Sequence, residues 1–391
     1  MQYDFDRVTD RAGTGSVKFD GLKDYFGKTD LLPMWVADMD FRVPDCVIDA
    51  VKNRAEHGIF GYPVITPAFY DSIISWMAVR HQWEVPADWI LFSPGIVPAL
   101  TMSVMVYTQP GDKVLLQSPV YPPFFSSIKD NERVVVINQL VESNGEYKID
   151  YDDLDQKLSQ GVKMMFFCNP HNPVGRVWTK EEVSNVINLC NRHNVILISD
   201  EIHSDLIFTG HKHIPAAMSG EDTENVVICM APSKTFNLAG MASAFLIIPG
   251  SKLRKKMREI LGNLHIHYGN IFGLTALQAA YEGGSGWLDA LMGYLEINRD
   301  TVNSYFVDRI PEIRPVPIEG TYLMWLDCRS MGLTDLNLKR FFIEKAGVAM
   351  NPGTAFGEGG KGFFRLNIGC PRSTLLLALD KISEAWVDYP R

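Results

Sequence analysis

The residues able to do chemistry lie in four short segments. Ser233-Lys234 follows the apolar run Val226–Met230 and a turn at Ala231-Pro232. A lysine directly after a strand end is held by the sheet, and an amine in a partly dehydrated pocket has a lowered pKa that makes it a nucleophile toward aldehydes. Asp200-Glu201-Ile202-His203 follows Val195–Ser199, and Asn169-Pro170-His171-Asn172-Pro173-Val174-Gly175 follows Met164–Cys168. Pro94-Gly95 follows Trp89–Phe92 and opens a helix at Ile96, whose free N–H groups suit a phosphate. Each polar group thus falls at the carboxyl end of a strand, where open α/β sheets hold their ligands.

Singly, each residue has a plainer reading. Lys234 alone reads as a solvated loop lysine, Asp200 as a helix cap, Asn172 as a turn residue between prolines, Tyr121 as core packing and Arg365 as the partner of a structural acid. Together, at successive strand ends, they match what pyridoxal 5′-phosphate requires. A carboxylate keeps the pyridine nitrogen protonated, a donor faces the phenolate oxygen, and N–H and hydroxyl groups hold the phosphate.

The elements that must position them read as an α/β fold. Seven apolar runs, starting at Trp89, Lys113, Arg133, Met164, Val195, Val226 and Ala244, show no polar alternation and are mostly separated by helices. That pattern predicts a largely parallel seven-stranded sheet covered on both faces. The clearest helix start is the capping box Thr179-Lys180-Glu181-Glu182, followed by Val183, Val186, Ile187 and Cys190 at i, i+3, i+4, i+7. Helices dominate from Ser251 to about Val307, and the last eighty or so residues return to mixed character around Tyr322–Leu326 and Phe363–Leu366. The expected division is a large cofactor-binding domain over residues 46–285 and a small α+β domain from residues 1–45 and 286–391.

Composition removes several function classes. The chain has 391 residues, 46% hydrophobic, with a formal charge of −9. That balance argues against a nucleic-acid surface. The basic cluster Lys252–Arg258 reads as the wet face of a helix. No apolar run approaches the roughly 20 residues of a membrane span. The polar, acidic start Met1-Gln2-Tyr3-Asp4 does not read as a signal peptide. Six scattered cysteines without a Cys-x-x-Cys pair point to the reducing cytoplasm. His211-x-His213 and His265-x-His267 have metal-like spacing, but no further ligand pattern completes either, so no metal is expected. No Gly-x-Gly-x-x-Gly follows the first strand, which argues against a nicotinamide enzyme.

The order Asn-Pro-x-Asn-Pro-x-Gly, Asp-Glu-x-x, Ser-Lys and a late arginine resembles the fold-type I pyridoxal-phosphate enzymes of the class I/II aminotransferase superfamily. Ala37-Asp38-Met39-Asp40-Phe41, Asp200-Glu201-Ile202-His203 and Asn367-Ile368-Gly369-Cys370-Pro371-Arg372 make it similar to the cystathionine β-lyase (C–S lyase) branch of MalY/PatB type. The resemblance runs from about Phe5 nearly to the C-terminus. It implies that Lys234 holds the cofactor covalently, that Asp200 faces the pyridinium nitrogen, and that Asn172, with His203 nearby, faces the ring oxygen. It further implies Tyr121 stacked on the ring, the phosphate on Ile96 and Val97 N–H, Ser233 and Tyr62 of a second subunit, and the substrate carboxylate on Arg365. Ala231, Val174 and Ala242 depart from the superfamily pattern; the first and last remove expected phosphate donors. The implied activity is β-elimination from cystathionine- or cysteine-like amino acids by a homodimer. Its rivals are an aminotransferase using the same residues and a non-catalytic regulator on the same fold.

Overall fold

A computed structural model describes residues 3–389; Met1 and Gln2 of the acidic N-terminal stretch lie outside the described residues. The seven apolar runs form one sheet: β1 (Ile90–Ser93), β2 (Lys113–Ser118), β3 (Val134–Gln139), β4 (Val162–Cys168), β5 (Ile196–Asp200), β6 (Val226–Met230) and β7 (Ala244–Ile247), in the order β1-β7-β6-β5-β4-β2-β3. β3, β2, β4, β5 and β6 are parallel, whereas β7 runs antiparallel to both β1 and β6. A parallel return needs a crossover helix. Between β6 and β7 the chain offers only a four-residue helix, Pro232–Thr235, and a 3₁₀ turn at Ala239–Met241, so it comes back antiparallel.

Burial follows the apolar pattern. β4 buries every residue but Lys163, and β6 buries all five. The capping box at Thr179 is present in full, and Val183, Val186, Ile187 and Cys190 are the buried face of helix Lys180–Arg192. On helix Ser251–Asn263, Leu253, Met257 and Leu261 face inward, leaving most of the basic cluster in water.

A second sheet, β8 (Arg314–Pro315), β9 (Leu323–Asp327), β10 (Asn351–Pro352) and β11 (Phe363–Asn367), is ordered β8-β9-β11-β10 and entirely antiparallel. The N-terminal segment forms a separate two-stranded sheet with the small domain's chain, Leu32–Pro33 running parallel to Val348–Ala349. That segment is also pinned by a charge cluster with no local sequence signature. Arg11 meets Asp38 and Asp40, each at 2.6 Å, and the fully buried Lys18 meets Asp40 at 2.8 Å. Asn237 tightens the same stretch by accepting from Met39 N–H and donating to the carbonyls of Met39 and Phe41.

Candidate active site

Register brings the chemical groups level. Cys168 pairs with Asp200, and Asp200 with Cys229, so β4, β5 and β6 end on one line. On that line or just past it the chain presents Asn172, Asp200, His203, Ser233 and Lys234, all lining one cavity of about 290 Å³. Tyr121, past the end of β2, and Ile96 and Val97, past the end of β1, line it as well.

Lys234 and Asp200 face this cavity in an unusual electrostatic state. Burial lowers the Lys234 amine to about 8, helped by the charge of Arg365 and opposed by Asp38 and Asp200. Burial pushes the Asp200 carboxyl up to about 7, against the Ile202 N–H that it accepts and the charge of Lys234. Burial likewise drives His203 well below its ordinary value, with Lys234 and Arg365 adding to the effect, so its imidazole is neutral. Lys234 Nζ donates to the carbonyl of Ala37, which also accepts from Tyr322 Oη at 2.9 Å.

Arg365 is buried and bonded to Asn172 of the cavity lining. Its Nη1 donates to Asn172 Oδ1 (3.0 Å), and its Nη2 to the carbonyl of Trp35 (3.0 Å) and to Asn351 Oδ1 (2.8 Å). Its guanidinium lies over the Phe356 ring at 4.9 Å. Nε has no partner among the described residues, and burial lowers the group to about 10. A buried guanidinium in that state favours an anionic ligand.

Pyridoxal 5′-phosphate fits the groups present. On the cavity lining, the helix Ile96–Tyr107 begins without a side-chain cap, and its first intrahelical bond is Ala99 N–H to Gly95. The N–H groups of Ile96 and Val97 therefore come before the ladder, while Pro98 has none to offer. Ser233 lines the cavity, and Ser243 adds a buried hydroxyl with no partner among the described residues. Hydroxyls and amides are thus available on the lining although Ala231 and Ala242 carry none. The same lining holds an acid, an amide and the lysine, groups that suit a ring nitrogen, a ring oxygen and an aldehyde.

Sequence reasoning missed several contributors. Ser243 follows Ala242, which holds a left-handed φ of 47° that nothing in the local sequence signals. Trp35, Ala37, Tyr322 and Asn351 enter through the N-terminal segment and the small sheet, and their roles emerge only when those segments meet. Tyr62 is not brought to the cavity of its own chain: it is fully exposed, beside exposed Ile59, Phe60 and Val64. His213 is buried, and its Nε2 lies 2.9 Å from buried Glu201.

The aminotransferase class I and II family profile matches residues 29–382. The chain is 44% identical to cystathionine β-lyase PatB of Bacillus subtilis over 97% of its length and 99% of that protein. It is 35% identical to protein MalY of Escherichia coli, over 95% and 96% of the two chains. The PLP-bound C–S lyase from Staphylococcus hominis superposes with a TM-score of 0.93 at 34% identity, covering 99% of each chain. With the cavity and its donors, these likenesses lead to one conclusion: the chain belongs to the class I and II aminotransferase family of pyridoxal-phosphate enzymes, in its PatB/MalY-type C–S lyase branch.

Proposed function

We propose that the protein is a pyridoxal-phosphate-dependent C–S lyase that eliminates a thiol from cystathionine- or cysteine-like amino acids. The observation that carries the chemistry is the gathering of Lys234, Asp200, Asn172, Tyr121 and the helix start at Ile96 and Val97 around one cavity. Burial lowers the Lys234 amine toward neutrality, which suits a group that must both bind covalently and take a proton. The choice of elimination over amino transfer rests on relatives named as cystathionine β-lyases and C–S lyases.

When bound, pyridoxal 5′-phosphate supplies a sink for the electron pair left at Cα. The residues of the chain do the rest. Lys234 would hold the cofactor and, as a free amine, would take the proton from Cα. Asp200 holds a proton at the ring nitrogen. Arg365 grips the substrate carboxylate and sets the Cα–H bond toward Lys234, and Asn172, tied to Arg365, faces the ring oxygen with His203 nearby. Tyr121 covers the ring, and Ile96, Val97 and Ser233 bind the phosphate. The Cα–H and Cβ–S bonds break, the sulfur leaves as a thiol, and hydrolysis with one water yields pyruvate and ammonia.

The site is completed by a second copy of the chain. Fully exposed Tyr62, on an exposed apolar stretch, supports its crossing to the neighbour's phosphate in a homodimer. Two domains, 46–285 and 1–45 with 286–391, agree with the two sheets and with the Leu32–Val348 pairing. Six unpaired cysteines support residence in the cytoplasm, and no described helix is long and apolar enough to cross a membrane.

The test is incubation of the purified protein with cystathionine and no added keto acid. Stoichiometric pyruvate and thiol support the lyase. Pyruvate-free turnover that needs a keto acid establishes an aminotransferase instead.

A further inference from the structure

Lys234 has two tasks, to hold the cofactor and to move a proton at Cα, yet it rides on a helix of four residues, Pro232–Thr235. A helix that short has little stability of its own, so its position depends on side-chain ties. Thr235, next to Lys234 and 1% exposed, donates from Oγ1 to Asp205 Oδ2 at 2.8 Å. The other oxygen, Oδ1, takes Trp76 Nε1 at 3.1 Å and lies 3.0 Å from His81 Nε2. Trp76 and His81 both belong to helix Pro67–His81. Asp205 lies on the loop leaving β5, downstream of Asp200 and His203, and its side chain is 4% exposed.

One carboxylate therefore joins three segments: the loop that follows Asp200, the turn bearing Lys234 and helix Pro67–His81. It is absent from the lining of the cofactor cavity, so its action on the reaction is indirect. Burial pushes the Asp205 carboxyl up, but the hydrogen bond and charge of His81, with the bonds from Thr235 and Trp76, outweigh it and hold the carboxyl below the usual range. An ionised carboxylate accepts from all three neighbours at once; an amide of the same shape puts an NH2 where one oxygen stood, so the partner there must turn from donor to acceptor, and the negative charge is lost.

We propose that Asp205 is the positioning residue for Lys234, acting through Thr235 to fix the direction from which the amine meets Cα. The inference rests on Lys234 being the base, and not on the identity of the leaving group. A small displacement of a reacting group slows proton transfer without weakening substrate binding much.

The test uses holoenzyme carrying Asp205→Asn, Thr235→Val or Thr235→Ser. It measures α-proton exchange of L-alanine in deuterium oxide, kcat and KM for cystathionine, thermal midpoint, and the rate at which stripped protein captures pyridoxal 5′-phosphate on Lys234, trapped with borohydride. Expected for Thr235→Val and Asp205→Asn is exchange and kcat slowed about 10–100-fold, KM changed less than about 3-fold, and slower capture. Thr235→Ser, which keeps the donor, should stay within about 2-fold. Should Asp205→Asn not fold, the Val/Ser pair carries the test alone. Wild-type exchange in Thr235→Val, or Val and Ser losing rate alike in step with their thermal midpoints, reduces Asp205 to packing and overturns the proposal. If wild type exchanges α-protons but releases no pyruvate from cystathionine, the lyase reading falls, and the Asp205 result is still read from exchange.

Discussion

Asp200→Asn should stabilise the cofactor-free protein while disabling the enzyme. The structure buries this carboxyl at the end of β5, where it accepts from Ile202 N–H and, among the described residues, no cation makes a hydrogen bond to it. Its folded value of about 7 lies above the ordinary 3.8, so between those two values the folded protein holds a proton that the unfolded chain has lost. Stability from this group is therefore intact below about pH 4, falls as pH rises, and is fully lost above about pH 7. The displacement corresponds to about 4 kcal/mol at pH 8. Asparagine never ionises, keeps an oxygen for Ile202, and escapes the loss. Urea unfolding of stripped wild type and Asp200→Asn, at equal protein concentration, should show the variant more stable by up to about 4 kcal/mol at pH 8 and nearly equal at pH 4. With cofactor bound the sign reverses in function: a ring nitrogen no longer held protonated should cut α-proton exchange by at least about 100-fold. Equal stability of the two stripped proteins at pH 8 would refute the burial argument. Near-normal exchange would refute the role of Asp200.

Other substitutions separate the remaining roles. Lys234→Ala should abolish turnover, and borohydride should fix the cofactor of wild type to the peptide containing Lys234 and to no other. Tyr62→Phe should weaken cofactor binding by roughly 1–2 kcal/mol; mixing Lys234→Ala subunits with subunits blocked at Tyr62 should restore activity, and proven subunit exchange without recovery rules out shared sites. Ser243→Ala should raise the Kd for pyridoxal 5′-phosphate about 5–10-fold and leave that for pyridoxal unchanged; an equal loss for both would mean the hydroxyl does not meet the phosphate. Lys18→Met removes a buried cation from Asp40 and should cost about 3 kcal/mol by denaturant unfolding, with a change under about 0.5 kcal/mol showing that Arg11 alone suffices.

The polar residues of the site were legible because each is local to a strand end. Uninterrupted apolar runs such as Val226–Met230 read as buried strands, and the residues just past them must emerge at the sheet's edge. Asp200, Asn172 and Lys234 therefore fall on one line from local pattern alone. Roles for Tyr121 and Arg365 came through the resemblance; in the structure Tyr121 lines the cavity and Arg365 is bonded to Asn172 of that lining.

By itself, then, the sequence determined the sheet, its ligand edge and the residue types gathered there, because side-chain periodicity and strand ends are properties of neighbouring residues. Only the tertiary structure decided which distant segments complete the site. The carbonyls of Trp35 and Ala37 serve Arg365 and Lys234 across 330 and 197 residues of chain. Lys18 and Arg11 find Asp40, Thr235 finds Asp205, and Ser243 turns its hydroxyl inward from a left-handed Ala242. Such pairings carry no local period, since they form between surfaces that exist only after the elements have packed. Buried polar groups must then be met by whatever partners the packing brings, and in this chain those partners hold the lysine, the aspartate and the arginine in place.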